Sequence, residues 1–139
     1  MQVKIDSNAK EVEKRIGKKG KELSASVKKA LSITAQQGIN IIETRTSKGI
    51  GFKGAFKPYS TGYALFRSET GRGTKPDLSF TGQMLGSITS RATDKKAEIF
   101  FTRAAEAEKA AYNNKSRPFF GFNRTEQKQL GEIFFRALK

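Results

Sequence analysis

The chain has 139 residues, 36% hydrophobic and 29% charged: enough for one domain with one core, and without an apolar run that could cross a bilayer. It has no cysteine and no histidine, which excludes disulfides, thiolate chemistry, Cys- or His-ligated zinc, and both Ser-His-Asp and Cys-His nucleophile systems. The formal charge of +14 favours polyanions, DNA first, or an acidic protein neighbour.

The excess charge is densest in the middle. Residues 47–76 carry six Lys/Arg against one acid, Glu69, whereas residues 1–46 carry ten against five. The 13 acids, mostly interleaved with lysines in helical stretches, read as solvated faces and i,i+4 partners. They give little support to a carboxylate-only magnesium or glycosidase site. No catalytic, metal or cofactor-binding residue is therefore assigned, and no enzymatic activity is expected. The charges of the first ten residues are not followed by an apolar stretch, so no signal peptide is expected.

In chain order, Gln2–Asp6 alternates apolar and polar and reads as a short strand. Ser7 or Asn8 can cap a helical turn through Glu11, Val12 and Ile16, interrupted by the Gly17-Lys18-Lys19-Gly20 patch. From Lys21, the residues Leu23, Val27, Ala30, Leu31, Thr34, Gly38, Ile41 and Ile42 follow steps of three and four, predicting a helix that ends near Arg45. Gly38 on that stripe implies close approach of another element.

Residues 47–76 hold six glycines and two prolines, which predicts a long Gly-rich loop. Tyr59–Arg67 can form a helical turn or two, pinned to the body by Tyr63, Leu65 and Phe66. A stretch of this length within a compact domain is functional or partly disordered. Leu78–Ser87 reads as a short helix carrying Met84, Leu85 and Ile88. Ile88–Thr93 and Ala97–Arg103 read as two strands joined at Asp94-Lys95-Lys96, with Ile99, Phe100 and Phe101 buried. Ala104–Tyr112 is predicted helical up to Asn113-Asn114, and Arg117–Phe122 extended with three phenylalanines to bury. Asn123 followed by Glu126 predicts a capping box for a C-terminal helix with Leu130, Ile133, Phe134, Ala137 and Leu138 on its apolar face. The expected fold is one α+β domain, with a long N-terminal helix and a C-terminal helix packed on one side of a small antiparallel sheet.

Gly49-Ile50-Gly51-Phe52-Lys53-Gly54 spells the dinucleotide fingerprint G-x-G-x-x-G. That chemistry needs a strand before it and a helix N-terminus after it. A helix precedes it here, so a turn is expected. Lys48, Lys53, Lys57, Arg67, Arg72 and Lys75 are assigned to a partner- or DNA-facing loop. Phe52, Phe56, Tyr59, Tyr63 and Phe66 lie among them, a pattern that can bind single-stranded nucleic acid by stacking. The preferred reading is that these rings anchor the loop to the core.

Four pieces then occur in order. They are Arg45-Thr46 with Gly49 and Gly54; Phe56-Lys57-Pro58-Tyr59-Ser60 with Tyr63; Pro76-Asp77-Leu78-Ser79-Phe80-Thr81-Gly82-Gln83-Met84-Leu85-Gly86-Ser87-Ile88; and Arg117-Pro118-Phe119-Phe120-Gly121-Phe122-Asn123. From about residue 23 onward the chain resembles the virion morphogenesis and tail-completion families of tailed bacteriophages. It departs from them in having Tyr112-Asn113-Asn114-Lys115-Ser116 before the Arg-Pro segment. The resemblance implies a structural virion protein: a homo-oligomeric ring, six-fold in symmetry, in the neck between head and tail. Its partners would be head-closure or connector proteins, tail-terminator or tail-tube proteins, and the packaged DNA, with no membrane; it would reside in the host cytoplasm during assembly. Phe56, Pro58, Tyr59, Tyr63, Leu78, Met84, Leu85, Arg117, Pro118, Phe119 and Phe120 would be the packing residues of the motifs. The competing expectation, from charge alone, is a sequence-nonspecific DNA-binding protein acting outside the virion.

Overall fold

The computed structural model describes residues 2–6 and 20–138; the cap at Ser7 or Asn8 and the turn through Ile16 lie outside the described residues. The elements in order are β1 (Gln2–Asp6), α1 (Gly20–Ser47), β2 (Ile50–Gly51), β3 (Gly54–Ala55), α2 (Thr61–Glu69), α3 (Gln83–Gly86), β4 (Ile88–Ala92), β5 (Lys96–Phe101), α4 (Ala104–Ser116) and α5 (Arg124–Ala137). The architecture is α+β, with the long N-terminal and the C-terminal helix expected from the sequence.

β1, β5 and β4 form an antiparallel sheet in that order, with Val3 opposite Ile99 and Ser90 opposite the same residue on the other side. Period-two alternation sends Ala97, Ile99 and Phe101 into the core, with Ile88 opposite Phe101. Phe100, expected to be buried, instead points to the opposite face and is only half-buried, beneath the Arg91 guanidinium at 4.9 Å. Glu98 on that face is buried under side chains, accepting from Arg91 Nε (2.7 Å) and paired with Lys96 Nζ (2.9 Å). These two partners, Lys96 first, hold its carboxyl down at about 2. Glu98, Glu106 and Glu126 are buried and are exceptions to the reading of the acids as mostly solvated faces.

α1 lies against β4 and β5 and carries α5 on its flank. Its buried stripe is Val27, Ala30, Leu31, Thr34, Ala35, Gly38, Ile39 and Ile42; Ile39 takes the core position, while Ile41 is half-buried. A side chain at Gly38 would meet the Phe122 ring at 2.9 Å and Ile99 at 3.1 Å, so this glycine sets the approach of the helix to both.

Two arginines organise the connections. Arg45, at the end of α1, donates to Glu126 Oε2 (2.8 Å), to the Phe119 carbonyl (2.9 Å) and to the Gly121 carbonyl. Glu126 is also the N3 residue of the capping box, its Oε1 accepting from Asn123 N–H at 3.0 Å. The buried Arg45–Glu126 pair thus ties α1, the 117–122 segment and α5 together. That segment is irregular chain, with Phe119 and Phe120 in the core and their amides bonded to Asn114 Oδ1. α4 runs to Ser116, one turn beyond the predicted end, and places Asn114 for that role. The second arginine is Arg67.

Among the described residues no helix is long and apolar enough to cross a membrane.

Candidate interaction surface

The glycine fingerprint folds as a tight antiparallel hairpin, Gly51 and Gly54 flanking Phe52-Lys53. A β-carbon on Gly51 would lie 1.9 Å from the Pro118 carbonyl oxygen, which accepts the Phe52 amide at 3.2 Å. The glycine serves close backbone contact with the 117–122 segment, as a turn would, and no helix follows it.

α2 is capped by Ser60, whose hydroxyl accepts the Tyr63 amide at 3.3 Å. Its decisive side chain is Arg67, 2% exposed. The guanidinium donates to the Gly73 carbonyl (2.7 Å), the Ser79 carbonyl (2.9 Å) and Asp77 Oδ1 (3.2 Å), and sits 5.1 Å from the Tyr59 ring centre. Asp77 in turn accepts the Ser79 amide, and the Tyr59 hydroxyl accepts the Leu78 amide at 3.0 Å. Burial pushes the Tyr59 hydroxyl pKa upward. Leu78, expected to open a helix, has φ 56 and inserts into the core instead; only Gln83–Gly86 is helical.

Arg67 is therefore a linchpin and not a partner-facing cation. Arg72 is half-buried, its guanidinium 3.6 Å from the Phe80 ring centre and bonded to the Phe80 carbonyl. Lys48, Lys53, Lys57 and Lys75 are exposed, as expected. The predicted anchors fare differently: Phe56 is buried, Tyr59 and Tyr63 are half-buried, but Leu65 and Phe66 are 60% and 50% exposed. Pro58 is exposed and contributes its carbonyl, not its ring. Leu78, Met84, Phe119 and Phe120 are core, and Leu85, Arg117 and Pro118 are half-buried.

Arg117 joins two of the sequence pieces: it donates to the Lys57 (3.0 Å) and Pro58 (2.9 Å) carbonyls and covers the Tyr59 ring at 4.7 Å. Tyr59 then holds Leu78 of the third piece.

Between segment 57–82 and α4 runs a groove of about 890 Å³, walled by Tyr59, Tyr63, Phe80 and Tyr112, with Met84 and Glu106 also lining it. Phe66 stacks on Phe80 at 5.8 Å and on Tyr63 at 6.3 Å, extending the aromatic wall outward. No group of three or more acids that could hold a metal ion occurs among the described residues. No protein-family model matches the chain, and no curated protein or solved structure is significantly similar to it.

Neither Glu106 nor Tyr112 is assigned to a site by the sequence. Only the 3.6-residue period of an alanine-rich helix, with Glu106 and Ala110 on its inner face, could have placed the acid inside.

Proposed function

We propose that the chain is a structural virion protein of a tailed phage, an oligomeric, ring-forming adaptor at the head–tail junction. The observation that carries this reading is the contact among the motif pieces. Phe56–Ser60, Leu78–Ile88 and Arg117–Asn123, far apart in sequence, meet through Arg117, Tyr59 and Leu78. They end in an aromatic surface left open to solvent at Phe66, Phe80 and Tyr112. Exposed aromatics on a well-bonded segment are the composition of a protein interface. The basic surface suits a place beside a DNA path.

The test is genetic and visual. Disrupting the gene in a phage that carries it is expected to leave filled heads and separate tails by electron microscopy, with joining restored by the supplied protein. Normally joined, infectious particles without the protein would refute the reading. Light scattering on the purified chain then gives the ring mass.

A second reading is supported by the four exposed lysines 48, 53, 57 and 75: a nonspecific DNA-binding protein acting off the virion. It requires duplex binding that weakens steeply with salt. Absence of binding at low salt would eliminate it.

A further inference from the structure

Glu106 is 3% exposed on the floor of the groove. Its Oε1 meets Lys109 Nζ at 3.2 Å, but its Oε2 is buried with no hydrogen-bond partner among the described residues. A buried carboxylate oxygen left unpaired is costly, and it is relieved by an incoming donor. Lys109 is 58% exposed on a flexible stem, so it can swing aside to admit one. At the rim, Lys57 and Arg117 have no acidic partner among the described residues: Arg117 gives its Nε and one terminal nitrogen to two carbonyls, and Lys57 is exposed. The walls are aromatic, and Tyr112 is 76% exposed.

The site thus wants a hydrogen-bond donor at its centre, negative charge at its edge and apolar surface along its side. A DNA backbone supplies the charge but has no hydrogen-bond donor for Oε2. A peptide backbone supplies an N–H at every residue. A second copy of this chain suits the rim poorly: it carries +14 and nowhere places two acids side by side. We propose that the groove between segment 57–82 and α4 binds an acidic, extended segment of a different protein. A backbone or hydroxyl donor of that segment reaches Glu106, its carboxylates reach Lys57 and Arg117, and an apolar side chain lies against Tyr112. The groove would do so whether or not the chain belongs to a virion.

All three tyrosines of the chain line this groove and there is no tryptophan, so intrinsic fluorescence reports on its occupancy. The full-length protein is titrated, at physiological ionic strength, with an acetylated peptide of glutamate and serine around one phenylalanine. A lysine-for-glutamate counterpart and a single-stranded oligothymidylate, followed by anisotropy, run beside it. The acidic peptide is expected to change tyrosine emission saturably and the lysine peptide not to. Tyr112→Ala is expected to weaken binding roughly fivefold and Lys57→Glu about tenfold, as loss of an aromatic anchor and reversal of a rim charge do. Both side chains are exposed, and unchanged melting curves show that the variants fold. No saturable change, an equal response to the lysine peptide, wild-type affinity in both variants, or tighter binding of the oligothymidylate would each overturn the proposal. Specific peptide binding by a chain whose loss leaves heads and tails joined would uphold the groove and end the virion reading.

Discussion

Replacing Arg67 by alanine removes the donors on which residues 73–79 are hung. Three acceptors lose their partner at once: the Gly73 and Ser79 carbonyls and Asp77 Oδ1. Breaking a buried charge pair from one side costs about 3–5 kcal/mol. The Asp77 side chain is 29% exposed and Gly73 lies at the surface, so water recovers part of that. The expected loss is about 3 kcal/mol, a large share of the ~5–15 kcal/mol available to a domain. Arg67→Lys should lose about 2 kcal/mol, because one ammonium cannot face three diverging acceptors as a guanidinium fork does. Urea unfolding gives the stability difference, and hydrogen exchange read by mass spectrometry locates it. The amides of Arg72 and Leu78 should exchange far faster in the alanine variant, since Arg72 N–H bonds the Arg67 carbonyl and Leu78 N–H bonds Tyr59 beneath the guanidinium. A midpoint within error of wild type, with unchanged exchange over 70–80, would refute the account of Arg67 as the linchpin.

Asn123→Ala should lower stability by about 1 kcal/mol in a thermal melt through loss of the cap on α5, and Arg45→Ala by about 3–5 kcal/mol because Glu126 would be left buried and unpaired. Gly51→Ala has no room against the Pro118 carbonyl and should cost about 1–3 kcal/mol, with the 117–122 segment losing protection; full stability in urea would contradict the packing described. Glu98 has a pKa of about 2 in the folded chain against an ordinary 4.5, so its contribution is present above pH 4.5 and lost as pH falls through 2. Acid titrations followed by circular dichroism should show this slope in the wild type and its loss in Glu98→Gln; parallel curves would sink the assignment.

What could be read from the sequence was whatever repeats with a period. The spacing of Leu23 to Ile42 located α1, Asn123 with Glu126 located α5, and the Asp94-Lys95-Lys96 turn between two strand-like runs located the hairpin, because each of these elements satisfies its own backbone locally. Residues 57–82 resisted reading for the opposite reason. Their backbone carbonyls are satisfied by Arg67, Arg72 and Arg117, from up to 60 residues away in sequence, and no local pattern announces which arginine turns inward. The same holds for Leu78: nothing in Pro76-Asp77-Leu78 signals a left-handed backbone, which follows from Tyr59 and Asp77 capturing the amides of Leu78 and Ser79. The exposed lysines of the candidate surface were legible from charge; its buried carboxylate and its aromatic wall were not, since both depend on where α4 comes to rest.

The buried arginines also change what the net charge means. A glycine-rich stretch has few side chains to bury and no ladder to satisfy its carbonyls. A guanidinium, with five donors in a rigid plane, can hold several such carbonyls from one buried point. Arg45 and Arg67 do this, and at the surface Arg117 holds two carbonyls and Arg72 one, each while lying over a ring. Arg45, Arg67 and Arg72 are therefore committed to the fold, and Arg117 is committed in part. The charge left for a partner is carried mainly by lysines: compact, mobile and strongly hydrated, suited to steering and loose contact more than to fixed recognition. Fixed recognition on this molecule must then come from the rigid features beside them, the tyrosine wall and the Glu106 carboxylate. That division, lysines to attract and a groove to select, ties the 57–82 segment's irregular backbone to a use: it builds a wall that neither a helix nor a strand of that composition would present.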